Sequence, residues 1–179
     1  MATLEITYDP DPILREKARR IKSFDANLRK LVADMFETMR VANGVGLAAP
    51  QINQSLRLIV IEILPDKREG EKGVKVALCN PEIVKASDEM VADIEACLSI
   101  RGWYGEVPRH RWVVVKAQNP EGKEVRIKAE DYYARVLQHE IDHLNGILFT
   151  DRIVDITTLR RIEPDSSEEA QEEFAEAEV

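Results

Sequence analysis

Residues 131–145 read DYYARVLQHEIDHLN, and Gly146 follows. Tyr133, Leu137, Ile141 and Leu144 recur at three- and four-residue steps, the spacing of one helix face. Tyr132 and Val136 form a second stripe in line with His139 and His143. Apolar material on two sides predicts a helix buried in the centre of a domain, ending where glycine stops it. His139 and His143 stand one turn apart on that helix, so both imidazoles can reach one metal ion. Glu140 projects close enough to act on a water beside the ion. A pattern this short also arises by chance, with both histidines as hydrogen-bonded core residues. The chain has only three histidines, however, and these two share a helix face that is otherwise apolar, where an unpaired imidazole is costly.

Outward from this helix, the pattern predicts mostly strands. Leu56–Leu64, Val74–Leu78, Trp112–Ala117 and Glu124–Ala129 are short and rich in branched residues. The last two flank Gln118–Lys123, a turn signal that makes them a hairpin. A first helix is predicted over Asp25–Ala42, with Leu28, Leu31, Val32, Met35 and Met39 on one face. Asp25 is its N-cap and Asn43-Gly44 its stop. One helix, then strands, then a central helix predicts an α+β fold: largely antiparallel sheets packed around the buried helix that carries HEIDH.

The 179 residues suit one domain with a substantial core. The net charge of -8 is unevenly placed: residues 163–179 hold eight of the 33 acidic residues and no basic ones, and the rest balances the 25 basic ones. A catalytic domain over residues 1–162 and a mobile acidic tail over 163–179 are expected. Such a tail repels nucleic acid, so charge predicts no direct nucleic-acid binding. No apolar run approaches the roughly 20 residues needed to cross a membrane, and the start lacks a secretion-signal pattern. Two cysteines suggest no disulfide framework. A cytoplasmic location follows as the expectation.

Two further segments stand out. Cys97 lies in Glu95-Ala96-Cys97-Leu98-Ser99 and is read either as a small buried hydrophobe or as a third metal ligand, whereas Cys79 sits in an apolar strand. Gly44-Val45-Gly46-Leu47-Ala48-Ala49-Pro50-Gln51 leaves a backbone with little side-chain cover. It suits either a tight packed turn or close approach by another chain. It lacks the spacing and lysine of a phosphate loop.

Together GVGLAAPQ at Gly44, EACLS at Glu95 and QHEIDH at Gln138 resemble, in order and spacing, the three signatures of the peptide deformylase family: GxGxAAxQ, EGCLS and QHExDH. The likeness extends through DPDPILR at Asp9, Asn80–Ile83, Glu106–Arg109 and Gly146–Phe149, covering about residues 5–155. It implies a metallohydrolase that removes the formyl group from N-formylmethionyl ends of new proteins. Cys97, His139 and His143 would hold one divalent ion, iron(II) in the cell, with zinc, nickel or cobalt also suited. Glu140 would move the protons, and the Gln51 amide and Leu98 N–H would donate to the oxyanion. Gly44, Val45 and Gly46 would pair with the substrate backbone, and Val45, Leu98, Tyr132 and Val136 would line the methionine pocket. Two residues depart from the family pattern: Ala96 replaces a glycine, and Arg101 stands where proline is usual. If position 96 needs positive φ, Ala96 is strained by about 1 kcal/mol. A weakened, peptide-binding relative is the alternative these departures raise.

Overall fold

The computed structural model describes residues 2–65 and 73–162; the acidic segment 163–179, and the mobility expected of it, lie outside them. Helix α1 is Ala26–Val41, and α2 is Asp131–His143. Eight strands complete the fold: β1 Gly46–Ala48, β2 Leu58–Ile63, β3 Val74–Ala86, β4 Met90–Cys97, β5 Ile100–His110, β6 Trp112–Gln118, β7 Glu124–Glu130 and β8 Arg160–Arg161. They form a five-stranded sheet in the order β1-β2-β3-β6-β7 and a three-stranded sheet in the order β4-β5-β8. Every strand pair is antiparallel. The α+β reading therefore holds.

The larger sheet is covered on both faces. Leu58 and Val60 of β2 pack with Leu28, Val32, Met35 and Met39 of α1. Their alternating neighbours Ile59 and Ile61 pack with Val136, Leu137, Ile141 and Leu144 of α2. Successive side chains of a strand point to opposite faces, so Leu58-Ile59-Val60-Ile61 reads as an unbroken apolar run, and all four are 0% exposed. The smaller sheet closes over α2 from another side, where Cys97 and Val107 meet Phe149. Each residue from Ala134 to His143 is consequently buried.

The caps match their local chemistry. Asp25 accepts a hydrogen bond from the Leu28 amide at 3.0 Å, and Asn43, at φ +58°, turns the chain out of α1. Past α2, Gly146 has φ +73°, and a Cβ there would lie 2.4 Å from the Arg15 carbonyl oxygen. Three boundaries differ from the sequence expectation. β3 runs on past Leu78 through Asn80-Pro81, because Asn80 adopts φ +54° and the register shifts there instead of turning. β4 and β5 carry too many polar and small residues to announce themselves as strands. Their pairing decides them, with eight partners from Met90↔His110 to Cys97↔Ile100.

Candidate metal centre and active site

His139 and His143 come from adjacent turns of α2, and Cys97 from the end of β4 where the chain turns sharply into β5. The His143 Nε2 lies 3.2 Å from the His139 Nε2 and 3.3 Å from the Cys97 Sγ. Sγ and one ring nitrogen of each histidine lie within 4.8 Å of one another, and all three residues are buried. Three side chains able to offer lone pairs to one ion thus converge on a single point.

Burial dominates the electrostatics of the cluster. Burial pushes the Cys97 thiol up to about 12, and the charges of Glu140 and Glu95 push the same way. Burial also holds His143 well below the usual imidazole range, with His139 and Arg109 adding to the effect. The carboxyl of Glu140 is raised well above its ordinary value, first by burial and then by Glu95. Both Glu140 carboxylate oxygens are buried without a hydrogen-bond partner in the protein. A buried polar group in that state is costly unless something else occupies the site. A divalent ion with a thiolate and two imidazoles fits this donor set, leaving a coordination position open beside Glu140.

The glycine loop is built around that carboxylate. A Cβ on Gly46 would fall 2.4 Å from Glu140 Oε1, and one on Gly44 would fall 2.7 Å from Leu98 Cδ1. Gly46 opens β1, an edge strand paired with β2 on one side only, so its other edge borders the site. Gln51 is buried: its Oε1 accepts from the Ala48 amide at 2.8 Å, and its Nε2 lies 3.3 Å from Ser99 Oγ and 3.6 Å from Cys97 Sγ. Val45, Tyr132 and Val136 share one apolar cluster, whereas Leu98 belongs to the α1 cluster across Gly44. Gly46, Gln51, Cys97, His139, Glu140 and His143 are thus brought together, with Leu98 against Gly44, whereas Val45, Tyr132 and Val136 are joined only through the α2 core cluster. Cys79 is buried in the sheet, away from the cluster of donors.

Sequence reasoning gave no role to the charged residues behind the ligands. Glu95 is 0% exposed, and its Oε2 accepts from His139 Nδ1 at 2.9 Å, which fixes the tautomer that leaves Nε2 free. Arg109 grips both Glu95 oxygens at 2.8 and 2.9 Å, and its third arm reaches Asp142 Oδ2 at 2.5 Å. Arg135 adds a 2.8 Å bond to Glu95 Oε1. Burial alone would raise the carboxyl of Glu95, but hydrogen bonds from Arg109 and His139 hold it well below the usual range. Glu95 is two residues before Cys97 and Asp142 one before His143, so Arg109 ties the two ligand-bearing segments together. The signal was a charged residue beside each ligand in segments otherwise apolar.

The two departures do no visible damage. Ala96 sits inside β4 and is not among the residues with positive φ, so the expected strain does not arise. The guanidinium carbon of Arg101 lies over the Tyr8 ring, 4.1 Å from its centroid.

The model of the polypeptide deformylase family matches residues 3–158. The chain belongs to that family. Similar deformylases include that of Thermomicrobium roseum, 55% identical over 96% of this chain and 97% of the relative. That of Roseiflexus castenholzii is 51% identical over 85% and 87%. Among solved structures, the Legionella pneumophila deformylase superposes with a TM-score of 0.79 at 44% identity, covering 88% of this chain and 89% of the other. A deformylase from Acinetobacter baumannii with Met-Ala-Ser bound gives 0.77 at 37% identity, covering 85% and 99%.

Proposed function

We propose that this deformylase removes the formyl group of N-formylmethionyl nascent peptides using Cys97, His139 and His143 to hold one divalent ion and Glu140 to carry the protons. The observation that supports this reading most is the convergence of three buried donors beside a Glu140 carboxylate that has no partner. The bound ion supplies Lewis acidity toward the formyl carbonyl and makes water nucleophilic at neutral pH.

The protein's own groups do the rest. Glu140 accepts the proton of the attacking water and delivers it to the amine nitrogen as the formyl C–N bond breaks, yielding formate and a free amino terminus. The Gln51 amide and the Leu98 N–H donate to the oxyanion. The backbone of Gly44 and Val45, running into the open edge of β1 at Gly46, pairs with the substrate backbone as an added strand. The apolar cluster containing Val45, Tyr132 and Val136 receives the methionine side chain. Met-Ala-Ser bound to the Acinetobacter relative is consistent with a peptide in this cleft.

Iron(II) is proposed as the cellular metal, with zinc, nickel and cobalt compatible with one thiolate and two imidazoles. Residues 1–162 are proposed to be the catalytic domain. No helix among the described residues is long and apolar enough to cross a membrane, and a cytoplasmic location suits nascent substrates.

The test is formate release from formyl-Met-Ala-Ser by protein loaded anaerobically with iron(II). Turnover is expected, and Glu140→Ala should abolish it while retaining the metal. No formate from the loaded wild-type protein would overturn the proposal.

A further inference from the structure

Beside Ile141, Asp142 and Asn145 at the C-terminal end of α2, a second cleft of about 510 Å³ is lined by Lys17, Arg20, Arg57 and Arg152, with Glu82 and Asp142 as its carboxylates. Its outer wall is the strap Arg15–Lys22, which places the cations Arg15, Lys17, Arg19, Arg20 and Lys22 and the single carboxylate Glu16 in solvent while burying Ala18 and Ile21. The strap is pinned by backbone. The Ala18 amide donates to Leu144 O at 3.0 Å, the Arg57 amide to Arg19 O at 2.8 Å, and the Ile21 amide to Asn80 Oδ1 at 2.8 Å. An extended, anchored segment of this kind presents its cations with little ordering left to do on binding.

Apart from Arg152, which pairs with Asp142, the cations of the cleft have no ion-pair partner among the described residues. Among the described residues, Arg15 of the strap pairs with Asp9 and Asp151, but Lys17, Arg20 and Lys22 have no ion pair. Arg57 is 9% exposed and has no carboxylate partner among the described residues. Its guanidinium is held by Leu144 O, Asn145 Oδ1 and Pro81 O at 3.0–3.1 Å. Burial and neighbouring Arg20 lower its pKa, against an opposing pull from Glu82. Asp142 offers little relief, because both its oxygens are taken by Arg109 and Arg152. A buried positive charge held only by amide and carbonyl dipoles, among further cations, is stabilised by an incoming anion.

We propose that this cleft binds a phosphate group, with Lys17, Arg20, Arg57 and Arg152 as its cationic walls. Guanidinium groups from three separate segments suit an anion that accepts hydrogen bonds from several directions. The phosphate belongs either to a polynucleotide backbone, which would run on along Arg19 and Lys22, or to a small phosphorylated molecule confined to the cleft. The whole-chain charge balance conceals this face, because it averages the strap against carboxylates elsewhere. The proposal does not rest on deformylation, since none of Cys97, His139, Glu140 and His143 lines the cleft.

The test uses the full-length, metal-loaded protein. Inorganic phosphate is titrated by calorimetry, and a fluorescein-labelled single-stranded RNA by anisotropy across a range of salt. Lys17→Glu and Arg20→Glu, both at exposed positions, should each weaken phosphate binding about tenfold and leave turnover of formyl-Met-Ala-Ser unchanged. If the anion is a polynucleotide's, RNA binds more tightly than inorganic phosphate, and its salt slope falls by about 0.7 for each cation removed. If it is a small molecule's, RNA binds no more tightly than inorganic phosphate. Either result supports the site. Wild-type phosphate affinity weaker than about 10 mM, or equal affinity in wild type and both variants, overturns it.

Discussion

Glu95→Gln is nearly isosteric, yet it should disable the scaffold of the metal centre. In the native protein Glu95 accepts two hydrogen bonds from Arg109, one from Arg135 and one from His139. An amide keeps one acceptor oxygen and substitutes an NH₂ group for the other. That NH₂ must then face either the His139 ring N–H or an Arg109 N–H, donor against donor. Both guanidinium groups also lose their shared negative charge in a place with no water to replace it. Removing one partner of such a buried network costs about 3–5 kcal/mol of folding stability. Loss of the carboxylate that orients a ligating imidazole weakens metal binding roughly 10- to 100-fold. Urea unfolding of the metal-free protein measures the first effect, and competition with a chelator of known affinity measures the second. Metal affinity within about twofold of wild type would show that His139 is positioned without Glu95 and would refute the reasoning.

Other perturbations follow from the same geometry. Gly46→Ala places a methyl group 2.4 Å from Glu140 Oε1. A shift of about 1 Å in the carboxylate should lower kcat/KM about 100-fold, with metal content by elemental analysis unchanged. Cys97→Ser should lower bound metal sharply and Cys79→Ser should not, since only Cys97 lies among the donors; equal loss would mean the wrong thiol has been assigned. The carboxyl of Asp25 is lowered from 3.8, first by its bond from the Leu28 amide. A group depressed by folding contributes stability above its unfolded pKa and loses it as pH falls. Asp25→Ala should therefore lower Tm at pH 7, and the difference from wild type should shrink in scans below about pH 4.

Much of the site was legible because its parts are local. The i, i+4 histidines, the glutamate between them and the glycine loop are each contained in one short segment, and helix geometry alone puts His139 and His143 together. The central burial of α2 was legible for the same reason, from apolar residues on two sides of one helix. Less was visible wherever pairing made the element. β4 looks polar because its N-terminal half is exposed, and only its register with β5 makes it a strand.

From sequence alone came the fold class, the caps of α1, the α2 helix and the pairing of His139 with His143 on one helix face, while Cys97 was singled out only through the family resemblance. Those depend on periodicity and residue chemistry, which the order of amino acids carries directly. Tertiary structure decided how Cys97 reaches two histidines more than 40 residues away, and that Ala96 sits in unstrained strand backbone. It also decided that Glu95, Arg109 and Asp142 form one network, and that four cations from three separate segments face one cleft. Such contacts join residues distant in the chain, and no local pattern encodes a distance that only the packed core sets.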